Sequence, residues 1–332
     1  MSQKSQLMIV IVIFITFNDR NLHGESVMDI AVIGSNMVDL ITYTNTMPKA
    51  GETLEAPDFA LGCGGKGANQ AVAAAKLGAA VMMVSKVGED LFADNTVKNL
   101  QQFGVDTRYV TVAAGTSSGV APIFVDDQSQ NRILIIKGAN ARLSPQDIDD
   151  AAEELKRCRL MVLQLEIPLP TVYHAIDFAR NNNIQVILNP APAVAGLDID
   201  YACLCDYFMP NETELEILTG LPVSTDEEVI RAGQMLLGRG LKNLIITLGS
   251  RGSVWMHGDA VHRVSPTSVK AIDTSGAGDA FIGCFAHGLV QHGDVAEAMQ
   301  SASAYAACSV TGRGTQLSYP DADTFHRFLN AN

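Results

Sequence analysis

From residue 29 onward, short near-continuous apolar runs alternate with stretches of helical periodicity, and this rhythm leaves few architectures open. The runs 29–33, 81–86, 160–165, 184–188 and 244–248 are rich in β-branched residues or leucine and read as buried strands. Helices are predicted over 66–77, 168–181, 212–219 and 227–239. Strands that are apolar on both faces and alternate with helices predict an α/β fold, with a mainly parallel sheet flanked by helices. Such sheets bind ligands beyond the carboxyl ends of their strands. No internal repeat or low-complexity linker interrupts the pattern.

Two stretches break the rhythm. Residues 39–61 and 109–137 read as antiparallel structure, with 120–125 and 132–136 pairing around a polar turn at 126–131. A small isolated sheet cannot bury both faces, so a partner for it is expected.

A chain of 332 residues allows one large domain or two small ones. With 47% apolar and 18% charged residues it has the composition of an α/β enzyme, and a net charge of −13 argues against nucleic acid or anionic membrane as partners. The six cysteines lack metal-site spacing, and reduced thiols in a cytoplasm are expected. The first 27 residues stand apart. Ten of the eleven residues at 7–17 are apolar, which is short for a membrane span, and no small-residue cleavage site follows. Gly24-Glu25 can be encoded by a hexamer resembling a ribosome-binding site. Residues 1–27 are therefore expected to lie outside the fold, with translation starting at Met28.

Four segments carry candidate chemistry. Asp273-Thr274-Ser275-Gly276-Ala277-Gly278-Asp279 precedes apolar residues at 281, 282, 285, 289 and 290, so its glycines sit at a helix start. One reading is an ordinary cap, with Thr274 or Ser275 as N-cap and Asp279 matching the dipole. The other is a nest of N–H donors beside a carboxylate, which suits phosphoryl transfer. Gly64-Gly65-Lys66-Gly67-Ala68-Asn69-Gln70 sets a second glycine cluster at a helix start. Asn211-Glu212-Thr213-Glu214 reads as a capping box. Thr247-Leu248-Gly249-Ser250-Arg251-Gly252 is a glycine-rich turn after a strand, and the P-loop pattern is missing from the chain.

The segments 64–70 and 273–279, in that order, resemble the two signatures of the ribokinase-like family of carbohydrate kinases, and the resemblance runs from about Met28 to Phe328. It implies one kinase domain over 28–330, with the segments 39–61 and 109–137 forming a β lid that closes on the sugar and pairs into a homodimer. It assigns Asp279 as the base, Gly276, Ala277 and Gly278 to an anion hole, and Asp39, Asn69 and Glu166 to sugar hydroxyls. Gly65, Lys66, Gly67 and Ala68 fall in the same pocket by resemblance. Asn211, Gly278 and the loop Thr247, Leu248, Gly249, Ser250, Arg251 and Gly252 are assigned to ATP, and Glu214 to Mg²⁺, largely through water. Some members hold a monovalent cation. For K⁺ the resemblance implies the Asp273 carboxylate, the carbonyls of Ser275, Ser309, Gly312 and Gly314, and the Ser318 hydroxyl; an ordinary glycine turn is the other reading.

Ribokinases carry Gly-Ser-x-Asn-x-Asp after the first strand, whereas this chain has Gly34-Ser35-Asn36-Met37-Val38-Asp39. An amide facing a CH₂ would be left unsatisfied, while a thioether packs against it. Met37 therefore favours a sugar lacking the 2-hydroxyl, unless it is only a core residue or Asn36 replaces the missing amide. The expected activity is ATP-dependent phosphorylation of 2-deoxy-D-ribose at O5, weaker on ribose. The alternatives are a kinase of D-ribose itself and a sugar-binding protein without catalysis.

Overall fold

The computed structural model describes residues 28–126, 131–194 and 196–331. The expectation for residues 1–27 lies outside the described residues. Among the described residues, thirteen strands form two sheets: β1 Ile30–Ile33, β2 Met37–Tyr43, β3 Asp58–Gly64, β4 Val81–Val87, β5 Asp106–Val112, β6 Gly119–Val125, β7 Asn131–Ile133, β8 Leu160–Leu163, β9 Gln185–Leu188, β10 Tyr207–Phe208, β11 Leu244–Thr247, β12 Ser253–His257 and β13 Ala260–Val264. The helices of eight or more residues are α1 Lys66–Lys76, α2 Leu91–Gln102, α3 Leu169–Asn181, α4 Glu212–Thr219, α5 Asp226–Leu237, α6 Ala277–His292, α7 Val295–Ser309 and α8 Ala322–Ala331.

The large sheet runs β13-β12-β11-β10-β9-β8-β1-β4-β5. It is parallel from β5 to β11, and β12 and β13 extend it as an antiparallel edge. Alternation along β1 explains why both faces must be covered: Ile30 and Val32 enter one core cluster, Ala31 and Ile33 the other. The first cluster holds the buried faces of α1, α6 and α7, the second those of α3, α4 and α5. No helix among the described residues is long and apolar enough to cross a membrane.

The small sheet runs β3-β2-β6-β7. Two details differ from the sequence expectation. Residues 109–112, read as the start of the lid, belong to β5 and pair in parallel with β4 in the large sheet. Their side chains alternate, so the periodicity could not tell an edge strand of the large sheet from a lid strand. The small sheet is not wholly antiparallel: β2 pairs antiparallel with β3 but parallel with β6. The excursion through α1, β4, α2 and β5 separates β3 from β6, and a long crossover permits a parallel pair where a hairpin cannot.

Beyond β1 the chain makes this excursion and returns on the other side at β8, so the strand order reverses between β1 and β8. Ligand crevices open at such a reversal, at the carboxyl ends of the strands. Ser35 follows β1 and Glu166 follows β8, and their side chains meet across that point in a short hydrogen bond.

Candidate active site

Asp279 lies in the first turn of α6, 7% exposed, at the wall of this crevice. Its carboxylate is held by two consecutive residues of α1: Asn69 Nδ2 donates to Oδ2 at 2.9 Å, and Gln70 Nε2 donates to Oδ1 at 2.9 Å. The helix cap is neither Thr274 nor Ser275. Gly276 is the N-cap, at φ 72°, and it brings no side chain to the first-turn N–H groups. A β-carbon at Gly276 would be strained at that φ and would come within 2.5 Å of Tyr319 Oη, whose hydroxyl donates to the Gly276 carbonyl at 2.9 Å. Burial, then the nearby Asp279 charge, push the Tyr319 phenol far up, so it remains a neutral donor.

The start of α1 is built differently. Glu166 Oε2 accepts from Lys66 N at 3.0 Å, and Ser35 Oγ accepts from Gly67 N at 3.3 Å. Ala68 N donates to the Ser35 carbonyl at 2.9 Å. The first-turn donors of α1 are thus met by distant residues, whereas at α6, among the described residues, no side chain caps the turn and Ala277 N alone turns back, donating to the Thr274 carbonyl at 3.3 Å. Of the two glycine clusters, α6 is the one suited to hold an anion.

Asp39, Glu166 and Asp279 form an acidic group beside α1. Burial first, then the charges of Glu166 and Asp279, push the Asp39 carboxyl up to about 7. The Lys66 ammonium joins them. Burial draws its proton affinity down, but Asp279, Glu166 and Glu214 together hold it above the ordinary value. Asn69 is 5% exposed and bridges Asp279 to Gln316, whose Nε2 donates to Asn69 Oδ1 at 2.9 Å. Gly65, at φ 90°, is the N-cap of α1 and turns the chain into this cluster. Met37, 2% exposed, opens β2 between Gly64 and Gly119. Asn36 does not supply a partnered amide: its side-chain nitrogen and oxygen are buried and unpaired among the described residues.

A cavity of about 400 Å³ adjoins the start of α6. Ala277 and Gly278 line it together with Thr247, Gly249, Ser250 and Gly252, so the turn at the start of α6 and the glycine-rich loop share one space. Two loop residues point elsewhere. Leu248 is 2% exposed in the core, and Arg251 donates to the Val223 carbonyl at 2.9 Å while pairing with Glu212 at 3.0 Å. Asn211 and Glu214 form the reciprocal cap read from sequence: Asn211 Oδ1 accepts from Glu214 N at 2.8 Å, and Glu214 Oε2 from Asn211 N at 2.9 Å. Burial raises the Glu214 carboxyl, partly offset by the Asn211 hydrogen bonds and the Lys66 charge.

Asp273 gathers the segment assigned to a cation. Its Oδ1 accepts from Ser275 N and its Oδ2 from Gly314 N, each at 2.9 Å. Gly312 lies against Ser318 and Ser309, since a β-carbon there would sit 3.0 Å from Ser318 Cβ and 3.8 Å from the Ser309 carbonyl. The oxygen-rich set is compatible with a hard cation.

Several residues at the site were not singled out from sequence. Gln164 follows β8, Asn189 follows β9, and both join Gln70 in a buried amide chain. Gln316 and Tyr319 reach the cluster from the segment after α7. Ser303, Ala306 and Ala307 form the far wall of the cavity from α7. Their positions at strand ends and on one helix face were the available signal, but residue type alone gave no chemistry to them.

Residues 28–322 match the pfkB family carbohydrate kinases. The chain is 63% identical over 305 residues to the deoxyribokinase of Salmonella typhi, covering 92% of this chain and 100% of that protein. It is 40% identical over 300 residues to the ribokinase of Mus musculus, covering 89% and 93%. The structure of Arabidopsis thaliana ribokinase complexed with ribose and ATP superposes with a TM-score of 0.84 at 31% identity, covering 92% and 99%.

Proposed function

The chain belongs to the pfkB family of carbohydrate kinases, and from that membership we propose that it transfers the γ-phosphoryl group of ATP to O5 of 2-deoxy-D-ribose, with ribose as a poorer acceptor. The observation that carries the reading is the meeting of a buried carboxylate, Asp279, with an uncapped helix start that opens onto the 400 Å³ cavity. A base and an anion hole at one helix tip are what an in-line phosphoryl transfer to a hydroxyl requires.

In this mechanism the sugar lies over Asp39, Asn69 and Glu166, with its 5-hydroxyl directed at Asp279. The Asp279 carboxylate takes the hydroxyl proton as O5 attacks the γ-phosphorus. The N–H groups of Gly278 and Asp279 hold the charge that builds on the transferring group, assisted by the Lys66 ammonium. The nucleotide occupies the cavity between the Thr247–Gly252 loop and α7, with Asn211 at its phosphate end. Leu248 and Arg251 act indirectly, as the anchors that fix that loop.

Glu214 and Asn211 would hold Mg²⁺ through water, where it neutralises phosphate charge. Asp273, Ser275, Ser309, Gly312, Gly314 and Ser318 would hold K⁺ beside the anion hole. The lid closes over the sugar and excludes water. Phe59 and Leu61 share one face of β3 and are 56% and 58% exposed, an apolar surface suited to pairing two lids in a homodimer.

The reading is tested by initial rates on 2-deoxyribose, ribose and deoxynucleosides with ATP and Mg²⁺, with and without K⁺. A higher kcat/KM for 2-deoxyribose than for ribose is expected. A preference for ribose would return the chain to the ribokinase activity, and ATP turnover that ignores every sugar would remove the kinase assignment. The identity to the Salmonella typhi protein, far above that to the mouse ribokinase, favours the deoxy sugar.

A further inference from the structure

Asp279 is gripped through Oδ1 by Gln70, and Gln70 is itself held by an amide chain whose direction is fixed. Asn189 Nδ2 donates to the Met209 main-chain carbonyl at 2.9 Å. That carbonyl can only accept, so the other end of the Asn189 amide must present its oxygen to Gln70. Gln70 Nε2 donates to that oxygen at 3.2 Å and to Asp279 Oδ1 at 2.9 Å. On its far side, Gln70 Oε1 accepts from Gln164 Nε2 at 2.7 Å. Gln70 is 1% exposed, Gln164 0% and Asn189 5%, so solvent cannot replace a lost partner.

Two constraints therefore agree on which end of the Gln70 amide faces Asp279. If it flipped, its oxygen would meet both the Asp279 carboxylate and the Asn189 oxygen; Gln164, whose own Oε1 has no partner among the described residues, follows this direction and does not set it. Each contact would become repulsive in a buried setting, where unpaired polar groups are costly. With Asn69 on Oδ2 and Gln70 on Oδ1, each carboxylate oxygen has one fixed donor. Each oxygen also keeps a free lone pair. The carboxylate plane is thereby set by α1, an element packed against α6, and not by α6 alone.

We propose that Gln70, oriented by Asn189, is a positioning residue that fixes the rotamer of the Asp279 carboxylate for proton abstraction. The chain runs from the ends of β8, β9 and β10 through Gln70 to the reacting oxygen. Its polarity originates at one main-chain carbonyl, that of Met209. The proposal rests on the reading of Asp279 as the base, and the controls below separate the two.

The experiment measures kcat and KM for 2-deoxyribose and ATP, with sugar affinity by calorimetry, in Gln70→Leu, Asn189→Leu, their double variant and Asp279→Asn. Gln70→Leu is expected to lower kcat at least ~10-fold, since small misplacement of a reacting group is costly, with sugar affinity within about 3-fold. Because Asn189 acts through Gln70, the double variant is expected to be no slower than Gln70→Leu alone. A structural role would instead lower stability additively and leave kcat per folded molecule unchanged. If Gln70→Leu does not fold, Asn189→Leu alone is expected to lower kcat with sugar affinity unchanged, and a wild-type kcat per folded molecule there would overturn the role.

A Gln70→Leu enzyme with wild-type kcat beside an inactive Asp279→Asn would overturn the positioning role and leave the base in place. So would strictly multiplicative losses in the double variant. An active Asp279→Asn would overturn the base assignment itself.

Discussion

Met37 and Asp39 stand two residues apart on β2, so their side chains project from the same face of the small sheet, and they are 2% and 7% exposed. A thioether and a carboxylate therefore share one buried face. Met37 packs over Gly119, its neighbour on β6, where a β-carbon would come 3.0 Å from Met37 Cγ, so the room for this side chain depends on that glycine. Met37→Asn is expected to move the ratio of kcat/KM values towards ribose by on the order of 10-fold, within the limit of about 10² for an apolar wall against a hydroxyl. Competition between the two pentoses measures it. An unchanged ratio would make Met37 a core residue and nothing more.

Gly64 faces Met37 across the β2–β3 pair, yet the space above it belongs to Asp39: a β-carbon at Gly64 would lie 2.3 Å from Asp39 Oδ1 and 2.4 Å from Oδ2. Gly64→Ala must therefore displace the carboxylate. Sugar affinity is expected to fall by at least ~10-fold with little change in ATP affinity, a loss equivalent to a hydrogen bond to a charged group. Calorimetry with each ligand separately is the measurement, and equal losses for both would point to general misfolding.

Asp279→Asn keeps the shape of the side chain but removes its capacity to take a proton. Turnover is expected to fall by about 10²–10⁴-fold, the usual range for a positioned base. Asn69 and Gln70 would both still face the side chain, one of them now opposite an NH₂ group, so modest destabilisation accompanies the loss. Sugar binding by calorimetry is expected to persist. A turnover within a few-fold of wild type would show that another group takes the proton.

How much was legible from the residues differs sharply between the large sheet and the site. The apolar runs at 160–165 and 244–248 became β8 Leu160–Leu163 and β11 Leu244–Thr247, because a strand buried on both faces has no polar alternative. Trp255, His257 and the alternating residues of β12 and β13 carried no such signal, since an edge hairpin tolerates both polarities. At the site, the two glycine clusters were visible, but their difference was not. Glu166 and Ser35 satisfy the α1 donors from strand ends 100 and 32 positions away, relations that no local pattern encodes. The same holds for Asn189, whose role depends on the Met209 carbonyl of a neighbouring strand.

The cavity beside α6 offers a test that leaves the sugar cluster alone. Ala307 of α7 lines it together with the loop residues Gly249 and Gly252. Ala307→Phe would fill part of the 400 Å³ and is expected to raise KM for ATP at least ~10-fold, an effect within reach of lost contacts in one pocket. Sugar affinity without nucleotide is expected to stay within about 2-fold. Loss of sugar binding with ATP binding intact would put the nucleotide elsewhere.

Asp39 gives the protein a pH dependence of unusual sign. Burial, with the Glu166 and Asp279 charges behind it, lifts its carboxyl from 3.8 to about 7. Below 3.8 the group is protonated in both folded and unfolded chains and favours neither. As pH rises from there towards 7, the unfolded chain gives up its proton while the folded one keeps it, so the folded state loses ground. The slope from this group reaches at most ~1.4 kcal/mol per pH unit and levels off above the folded-state value. Asp39→Asn removes the effect. The melting temperature of the ligand-free variant is therefore expected to exceed wild type by a margin that widens between pH 4 and 7 and is constant above. A margin that is flat across that window, or that narrows as pH rises, would mean Asp39 is already ionised in the folded protein at low pH, and its burial would then need a cationic partner such as Lys66.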